Sequence, residues 1–186
     1  MVGTVVIRAV RVEDATDLEA VRHQPGVLDG TLNMPSERLR DRQRRIEGLG
    51  PNIHELVAEV DGRVVGTAGL VAFQGRMSHA GEIAHIMVHD EFQGRGIGRQ
   101  LMEALIDIAD NYLGLVRVEL LVYPDNEGAV RLYERLGFAR EGAKRKCARR
   151  QGRLVDALMM ARIREEGDAS LERQPTTGGA AATRDG

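Results

Sequence analysis

One stretch decides the fold of this chain: Val88-His89-Asp90-Glu91-Phe92-Gln93-Gly94-Arg95-Gly96-Ile97-Gly98-Arg99. An apolar run over residues 83–88 precedes it and predicts a strand, and the amphipathic pattern over residues 97–112 predicts a helix. The glycines between them let the backbone adopt positive φ, and the N–H groups at the helix start then point at negative charge. Because Arg95 and Arg99 add positive charge beside the loop, we expect it to bind a diphosphate.

The glycine spacing separates this loop from two common phosphate-binding motifs. No Gly-Lys-Ser/Thr follows, so the loop is not a Walker A motif, and it lacks the G-x-G-x-x-G of a dinucleotide-binding βαβ unit. The pattern is instead Gln-x-x-Gly-x-Gly, from Gln93 to Gly98.

Length and composition predict one domain over residues 1–164 and a disordered tail over residues 165–186, where no apolar pattern could form a core. A net charge of −2 gives no reason to expect binding to nucleic acid or to a membrane. The single cysteine, Cys147, fits a reducing compartment, and no segment resembles a signal peptide or a membrane span. We therefore expect a cytoplasmic protein.

The rest of the chain predicts a mixed order of strands and helices. Helices are predicted over residues 13–21, ending before Pro25-Gly26, and from Ser36 through a segment with five arginines, with a loop over residues 28–35 between them. Asp61-Gly62 predicts a type I′ hairpin turn. Strands are predicted over residues 5–10, 54–60, 63–73, 81–89, 115–122 and 154–163 and from Phe138, and a helix capped by Asp125 or Asn126 is expected to end at Gly137.

A second motif follows the predicted strand at residues 115–122. It reads Asn126-x-x-Ala129-x-x-Leu132-Tyr133-x-x-x-Gly137-Phe138. Together, the two motifs resemble the GNAT acetyltransferases, and the likeness extends over residues 5–163. It implies a mixed α/β fold whose central, mostly antiparallel sheet is splayed at the strand before the diphosphate loop.

The resemblance also implies acetyl-CoA as the acetyl donor and CoA as a product. By motif position, the main chain of Ile86, Met87 and Val88 would pair with the pantetheine arm. Asn126 would hydrogen-bond that arm near its reacting end, and Tyr133 would protonate the departing thiolate. The diphosphate would be held by the loop itself, namely Gln93, Gly94, Arg95, Gly96, Ile97, Gly98 and Arg99.

The general base is left open by the residues. Some members of the family have a Glu five positions before the motif Asn, where this chain has Leu121. Glu82, His85 and a water chain remain as candidates. The odd separation of the two residues places them on opposite faces of a regular strand, so we expect one of them to meet the cleft, and we favour Glu82.

Further segments resemble a bacterial subgroup that acetylates free L-amino acids such as phenylalanine and methionine. They are Gln24-Pro25-Gly26-Val27, Asn33-Met34-Pro35-Ser36 and residues 149–161, although Cys147 stands where the subgroup tends to have Tyr. The acceptor is therefore expected to be a small primary amine, namely the α-amino group of a free L-amino acid. Its carboxylate could be held by the arginine-rich second helix or by the segment from Lys144 to Arg150.

Other functions stay open at this point. A protein N-terminus, a polyamine or an antibiotic could be the acceptor, and a non-catalytic acyl-CoA sensor would have the same fold. The resemblance implies a homodimer. The five histidines show no metal-ligand spacing, so no metal is expected.

Overall fold

The computed structural model of the chain describes residues 3–165, which contain seven strands and five α-helices. The strands are β1 (Val5–Ala9), β2 (Ile53–Val60), β3 (Arg63–Ala72), β4 (Ala80–Val88), β5 (Arg117–Val122), β6 (Ala139–Arg150) and β7 (Arg153–Ile163). The helices are α1 (Ala15–Arg22), α2 (Pro25–Gly30), α3 (Leu39–Glu47), α4 (Ile97–Asp107) and α5 (Glu127–Arg135). Apart from Glu165, the predicted disordered tail lies outside the described residues.

All seven strands form one sheet in the order β1-β2-β3-β4-β5-β7-β6. Only β4 and β5 run parallel to each other, and the other neighbours are antiparallel, which confirms the predicted mixed, mostly antiparallel sheet. The hairpin between β2 and β3 turns at Asp61 and Gly62, whose φ values are 51° and 80°. Positive φ at both central positions is what a type I′ turn requires, so this prediction is also confirmed.

Both faces of the sheet are covered by helices. Adjacent residues on a strand point to opposite faces, and accordingly Val57 and Ala58 belong to different apolar clusters. Val57 packs with Leu18 of α1 and Ile46 of α3. Ala58 belongs to the larger cluster, which contains the buried side of α4: Ile97, Leu101, Met102 and Leu105.

Strands β4 and β5 pair only at their first residues. The pairs are Ala80 with Arg117, Gly81 with Val118 and Glu82 with Glu119. Beyond this point β4 continues beside β3 and β5 continues beside β7. The two strands therefore diverge just before the glycine loop, as the family resemblance implies.

The connection between α1 and α3 differs from the prediction. Pro25 was expected to end a helix, but it also begins α2, because the first helical position does not need the N–H that proline lacks. The predicted loop over residues 28–35 is thus partly helical. Val27 holds α2 in place by packing against Val21 of α1 and Met87 of β4.

Two element boundaries also differ. α3 begins at Leu39 instead of Ser36, since Arg38 has an extended backbone and serves as the N-cap. α4 ends at Asp107, and residues 108–112 form one turn of π-helix, in which the Leu113 N–H donates to the Ile108 carbonyl. The amphipathic pattern over residues 97–112 therefore forms one helical segment, which changes from α-helix to π-helix after Asp107.

Candidate active site

The glycine loop has the backbone geometry of an anion site. Gly94 and Gly96 have φ of 73° and 80°, a region that residues with a Cβ rarely adopt. Gly96 is the N-cap of α4, so the N–H groups of the first helical turn have no carbonyl partner within the helix. A Cβ on Gly98 would lie 3.8 Å from Val88 Cγ2, which is an ordinary contact, so packing alone does not require glycine there.

Asp90 fixes the loop to its surroundings. The Gln93 amide donates to Asp90 Oδ1 and to the Val88 carbonyl, both at 3.0 Å. The backbone N–H of Gly26, in the first turn of α2, donates to Asp90 Oδ2 at 3.1 Å. Gln93 thus braces the loop against the end of β4, and α2 is attached to the same carboxylate.

The two loop arginines are exposed and differ in their partners. The Arg95 guanidinium lies over the Phe92 ring, 5.0 Å from its centroid. Arg99 forms an ion pair of 2.8 Å with Glu103 one turn along α4. Arg95 therefore brings a full positive charge to the loop, whereas the charge of Arg99 is partly offset.

A β-bulge in β4 reshapes the wall of the cleft. The register passes from Gly69 opposite Ala84 to Thr67 opposite Met87, so β4 has one residue more than β3 over this interval. His85 occupies the bulge with φ of 57°. Because a bulge redirects the side chains that follow it, the expectation that Glu82 and His85 lie on opposite faces is wrong.

Both residues line one cavity of about 480 Å³. Of the three residues predicted to pair with a pantetheine arm, Ile86 also lines it, while the Met87 side chain is buried against α2. Val88 packs on the main core. The cavity brings together residues that the sequence analysis named and two that it did not, Arg22 and Glu37. The named residues are Glu82, His85, Ile86, Leu121, Asn126, Tyr133 and Cys147, together with Asn33 and Arg45 from the segments that concern the acceptor.

The two residues of the second motif occupy the α5 side of this cavity. Tyr133 is 6% exposed and packs against Phe138, and burial raises the pKa of its phenol. Asn126 is the N-cap of α5, where its Oδ1 accepts the Ala129 N–H at 3.2 Å. This cap orients the Asn126 side chain and leaves its amide NH₂ group to donate into the cavity.

Glu82 stands where β4 and β5 separate. Its partner across the parallel pair is Glu119, which forms an ion pair of 2.9 Å with Arg117. Burial, and after it the charge of Glu119, raises the pKa of Glu82, and Lys144 acts in the opposite direction with a smaller effect. Glu82 is thus a carboxylate that takes up a proton more readily than an exposed one.

His85 faces a group of charged residues that we call the arginine cluster: Arg22, Glu37, Arg42, Arg45 and Glu55. Burial is the largest of the effects that lower the pKa of His85. Glu55 opposes this effect, and the three arginines of the cluster add to it. Surrounding protein atoms thus disfavour the charged form of the His85 ring and lower its pKa, although His85 itself remains exposed to solvent.

Three arginines of α3, the helix that the sequence analysis offered for a substrate carboxylate, have different environments. Arg42 is buried and paired with Glu55. Arg44 is exposed and paired with Asp41, while Arg45 lines the cavity. Arg22 and Glu37, which line the cavity together with Arg45, were not predicted, because an arginine run indicates a basic helix without showing what lies beside it.

The basic segment of β6 contributes little to the cavity. Cys147 is the residue of this segment that lines it, whereas Arg149 and Arg150 line an adjoining cavity of about 570 Å³. Arg150 pairs with Asp125 and lies over the Tyr123 ring at 4.9 Å. Its charge is therefore already satisfied by the protein.

Within residues 3–165, no group of three His, Cys, Asp or Glu side chains is placed to hold a metal ion. In the same part of the chain, no helix is long and apolar enough to span a membrane.

β4 and β5 diverge beside a cavity that is lined by titratable side chains, and the glycine loop follows the end of β4. Residues 20–138 match the profile of the acetyltransferase (GNAT) family. The chain belongs to this family and is an acyltransferase. The predicted family and fold are thereby confirmed.

Two curated relatives are similar to this chain. It is 36% identical over 168 residues to the L-amino acid N-acetyltransferase AaaT of Escherichia coli, which covers 86% of this chain and 98% of that protein. It is 38% identical over 124 residues to the N-alpha-acetyltransferase RimI of Mycobacterium tuberculosis, which covers 67% and 73%.

Solved structures have the same fold. A ribosomal-protein-alanine N-acetyltransferase from Brucella melitensis superposes with a TM-score of 0.74 at 25% identity, over 86% of this chain and 99% of that one. A spermidine N-acetyltransferase from Vibrio cholerae, solved with CoA and spermine, gives a TM-score of 0.76 at 22% identity, over 86% and 95%.

Proposed function

We propose that this enzyme transfers an acetyl group from acetyl-CoA to the α-amino group of a free L-amino acid. The observation that carries this proposal is the divergence of β4 and β5 into a cavity containing both Glu82 and Tyr133. Similarity to AaaT over most of both chains supports the acceptor class. A single cysteine and the absence of a span in the described residues are in keeping with a cytoplasmic enzyme.

The residues of the cleft fit acetyl-CoA, which supplies the acetyl thioester. Past Glu82, the edge of β4 that faces β5 has no strand partner among residues 3–165, so the N–H and C=O groups of residues 86–88 can pair with the amides of a pantetheine arm. The loop from Gln93 to Arg99 would hold the diphosphate on the N–H groups of α4. The amide NH₂ group of Asn126 would donate to the arm from the other side.

Glu82 is proposed as the general base. An amine must lose a proton to attack a carbonyl, and the raised pKa of Glu82 brings this carboxylate nearer to the operating pH. Backbone N–H groups at the β4 bulge would polarise the carbonyl that the amine attacks. His85, which lines the same cavity and whose pKa is lowered, is proposed to contact the acceptor instead.

Tyr133 is proposed as the general acid. Because burial raises the pKa of the phenol, it keeps its proton throughout the neutral range. The same apolar surroundings disfavour a free thiolate, whose pKa is about 8.5 in water, and so favour its protonation. The acceptor ammonium gives one proton to Glu82 before it attacks, and Glu82 later releases it to solvent. The second N–H proton, lost as the tetrahedral intermediate collapses, replaces the one that Tyr133 gives to the thiolate.

The proposed function is tested by measuring CoA release with a thiol reagent. Acceptors would be a panel of free L-amino acids, a short peptide, spermidine and an aminoglycoside. We expect turnover with the amino acids and little with the others. Turnover confined to another acceptor would contradict the acceptor assignment, and CoA binding with no acetylated acceptor would favour a sensor of acyl-CoA.

Removal of the Tyr133 hydroxyl should slow the chemical step. Tyr133→Phe is expected to lower kcat by about 100-fold or more, as for the loss of a general acid, with the KM for acetyl-CoA nearly unchanged. The control is Tyr112→Phe, since Tyr112 is 78% exposed and lies outside the cavity. Equal kcat values for the two variants would exclude Tyr133 as the acid.

The pH dependence of kcat/KM should identify Glu82. A base must be unprotonated, so activity should rise with pH through the raised pKa of Glu82 and this rise should vanish in Glu82→Gln. Glu119→Gln removes the charge that raises this pKa, so the acidic limb should shift to lower pH. If the rise of kcat/KM with pH stayed at the same pH in both variants, Glu82 would be ruled out as the general base.

A further inference from the structure

The acceptor end of the cavity has a net positive charge built into it. The arginine cluster contains three arginines and two glutamates. Two of its members, Arg42 and Glu55, form a buried pair behind the cavity wall. The remaining three, Arg22, Glu37 and Arg45, all line the cavity, and two positive charges there share one carboxylate.

The two arginines beside Glu37 are held very differently. The Arg22 side chain is 8% exposed, pairs with Glu37 and donates to Asn33 Oδ1 at 2.9 Å. The Arg45 side chain is 50% exposed, and its Nη2 lies 3.4 Å from Glu37 Oε1, beyond ordinary charge-assisted hydrogen-bond distance. Arg45 therefore keeps guanidinium donors for a further anion, while Arg22 fixes Glu37.

We propose that Arg45 binds the α-carboxylate of the acceptor amino acid. This inference rests on the proposed function. A free α-amino acid has its amine and carboxylate on the same carbon, so a carboxylate at Arg45 keeps the amine inside the cavity that contains Glu82 and His85. The carboxylate of the zwitterionic amino acid would meet the excess of positive charge at one end of the cavity. Its ammonium group would meet the Glu82 carboxylate on the β4 wall.

The structure decides between the two basic segments that the sequence offered for this carboxylate. Among residues 3–165, Arg22 and Arg45 are the basic side chains that line the cavity. The β6 segment contributes Cys147 alone, and Arg150 is paired with Asp125. The effect of Arg45 on His85, whose pKa it lowers, agrees with a guanidinium close to the β4 wall.

This subsite separates free amino acids from other amines. A peptide N-terminus has an amide where the free amino acid has a carboxylate, so it would leave Arg45 without an anion. A polyamine would bring further positive charge to an end of the cavity that already has an excess. Arg45 thus acts as a specificity residue and takes no part in the proton transfers.

The test compares a free L-amino acid with its carboxamide as acceptors for the wild type and for Arg45→Gln. A charge-assisted pair contributes roughly 10- to 100-fold, so the wild type should have a kcat/KM higher by this factor for the acid. In Arg45→Gln the ratio of kcat/KM for the acid to that for the carboxamide should fall towards one. The KM for the acid should rise, while kcat/KM for the carboxamide should not change. Arg45→Lys should recover part of the ratio.

The matched control is Arg44→Gln, on the same helix. Arg44 is 69% exposed and paired with Asp41, and it should keep the wild-type preference. Thermal melting and CoA affinity, both expected to stay at wild-type values, verify that Arg45→Gln is folded.

Three results would overturn the assignment of Arg45. They are an unchanged acid preference in Arg45→Gln, an equal loss for acid and amide, and a wild type that acetylates both alike. A wild type that acetylates the acid and the amide alike would leave the proposed acetylation of amino acids intact. If the wild type acetylates neither form of any amino acid, the proposed function fails together with the subsite, so the two failures are distinct.

Discussion

β4 and β5 share hydrogen bonds over three residue pairs, and the site depends on the point where this pairing ends. Parallel strands normally satisfy each other's main-chain groups along their length. Here β5 finds its partner in β7, and β4 keeps β3, so the divergence costs neither strand its place in the sheet. The freed edge of β4 leads directly into the glycine loop and α4. This one interruption thus brings together the loop proposed to bind diphosphate, main-chain groups of β4 that have no strand partner within residues 3–165, and Glu82.

The β-bulge adds a second feature to the same strand. One extra residue at His85 turns its side chain into the cavity that Glu82 also lines. The positive φ of His85 is unfavourable for a residue with a Cβ, and such conformations persist where the surrounding structure imposes them. Beyond the bulge, Met87 packs against α2, which in turn is bonded to Asp90 of the loop. α2 therefore holds the end of β4 and the loop that follows it in a fixed relation to each other.

Much of this could be predicted from the sequence. The glycine loop and the Asn126–Tyr133 motif each combine special backbone residues with a strand–helix junction, and such local patterns are strong. Other features depend on contacts between distant segments. The bulge arises from the register between β3 and β4, which alternation along one strand cannot indicate. Likewise, the roles of Arg42 and Arg45 depend on Glu55 of β2 and on the segment between α2 and α3, so five similar arginines could not be told apart.

The central claim is that the opening between β4 and β5 is the binding cleft for acetyl-CoA. The most direct test is a titration of the ¹⁵N-labelled protein with CoA, followed through assigned backbone amide resonances. We expect the largest chemical-shift changes on residues 86–88 and 96–99, with small changes on β1 and on the α3 amides. Saturable binding whose shift changes spare β4 and the start of α4 would contradict it.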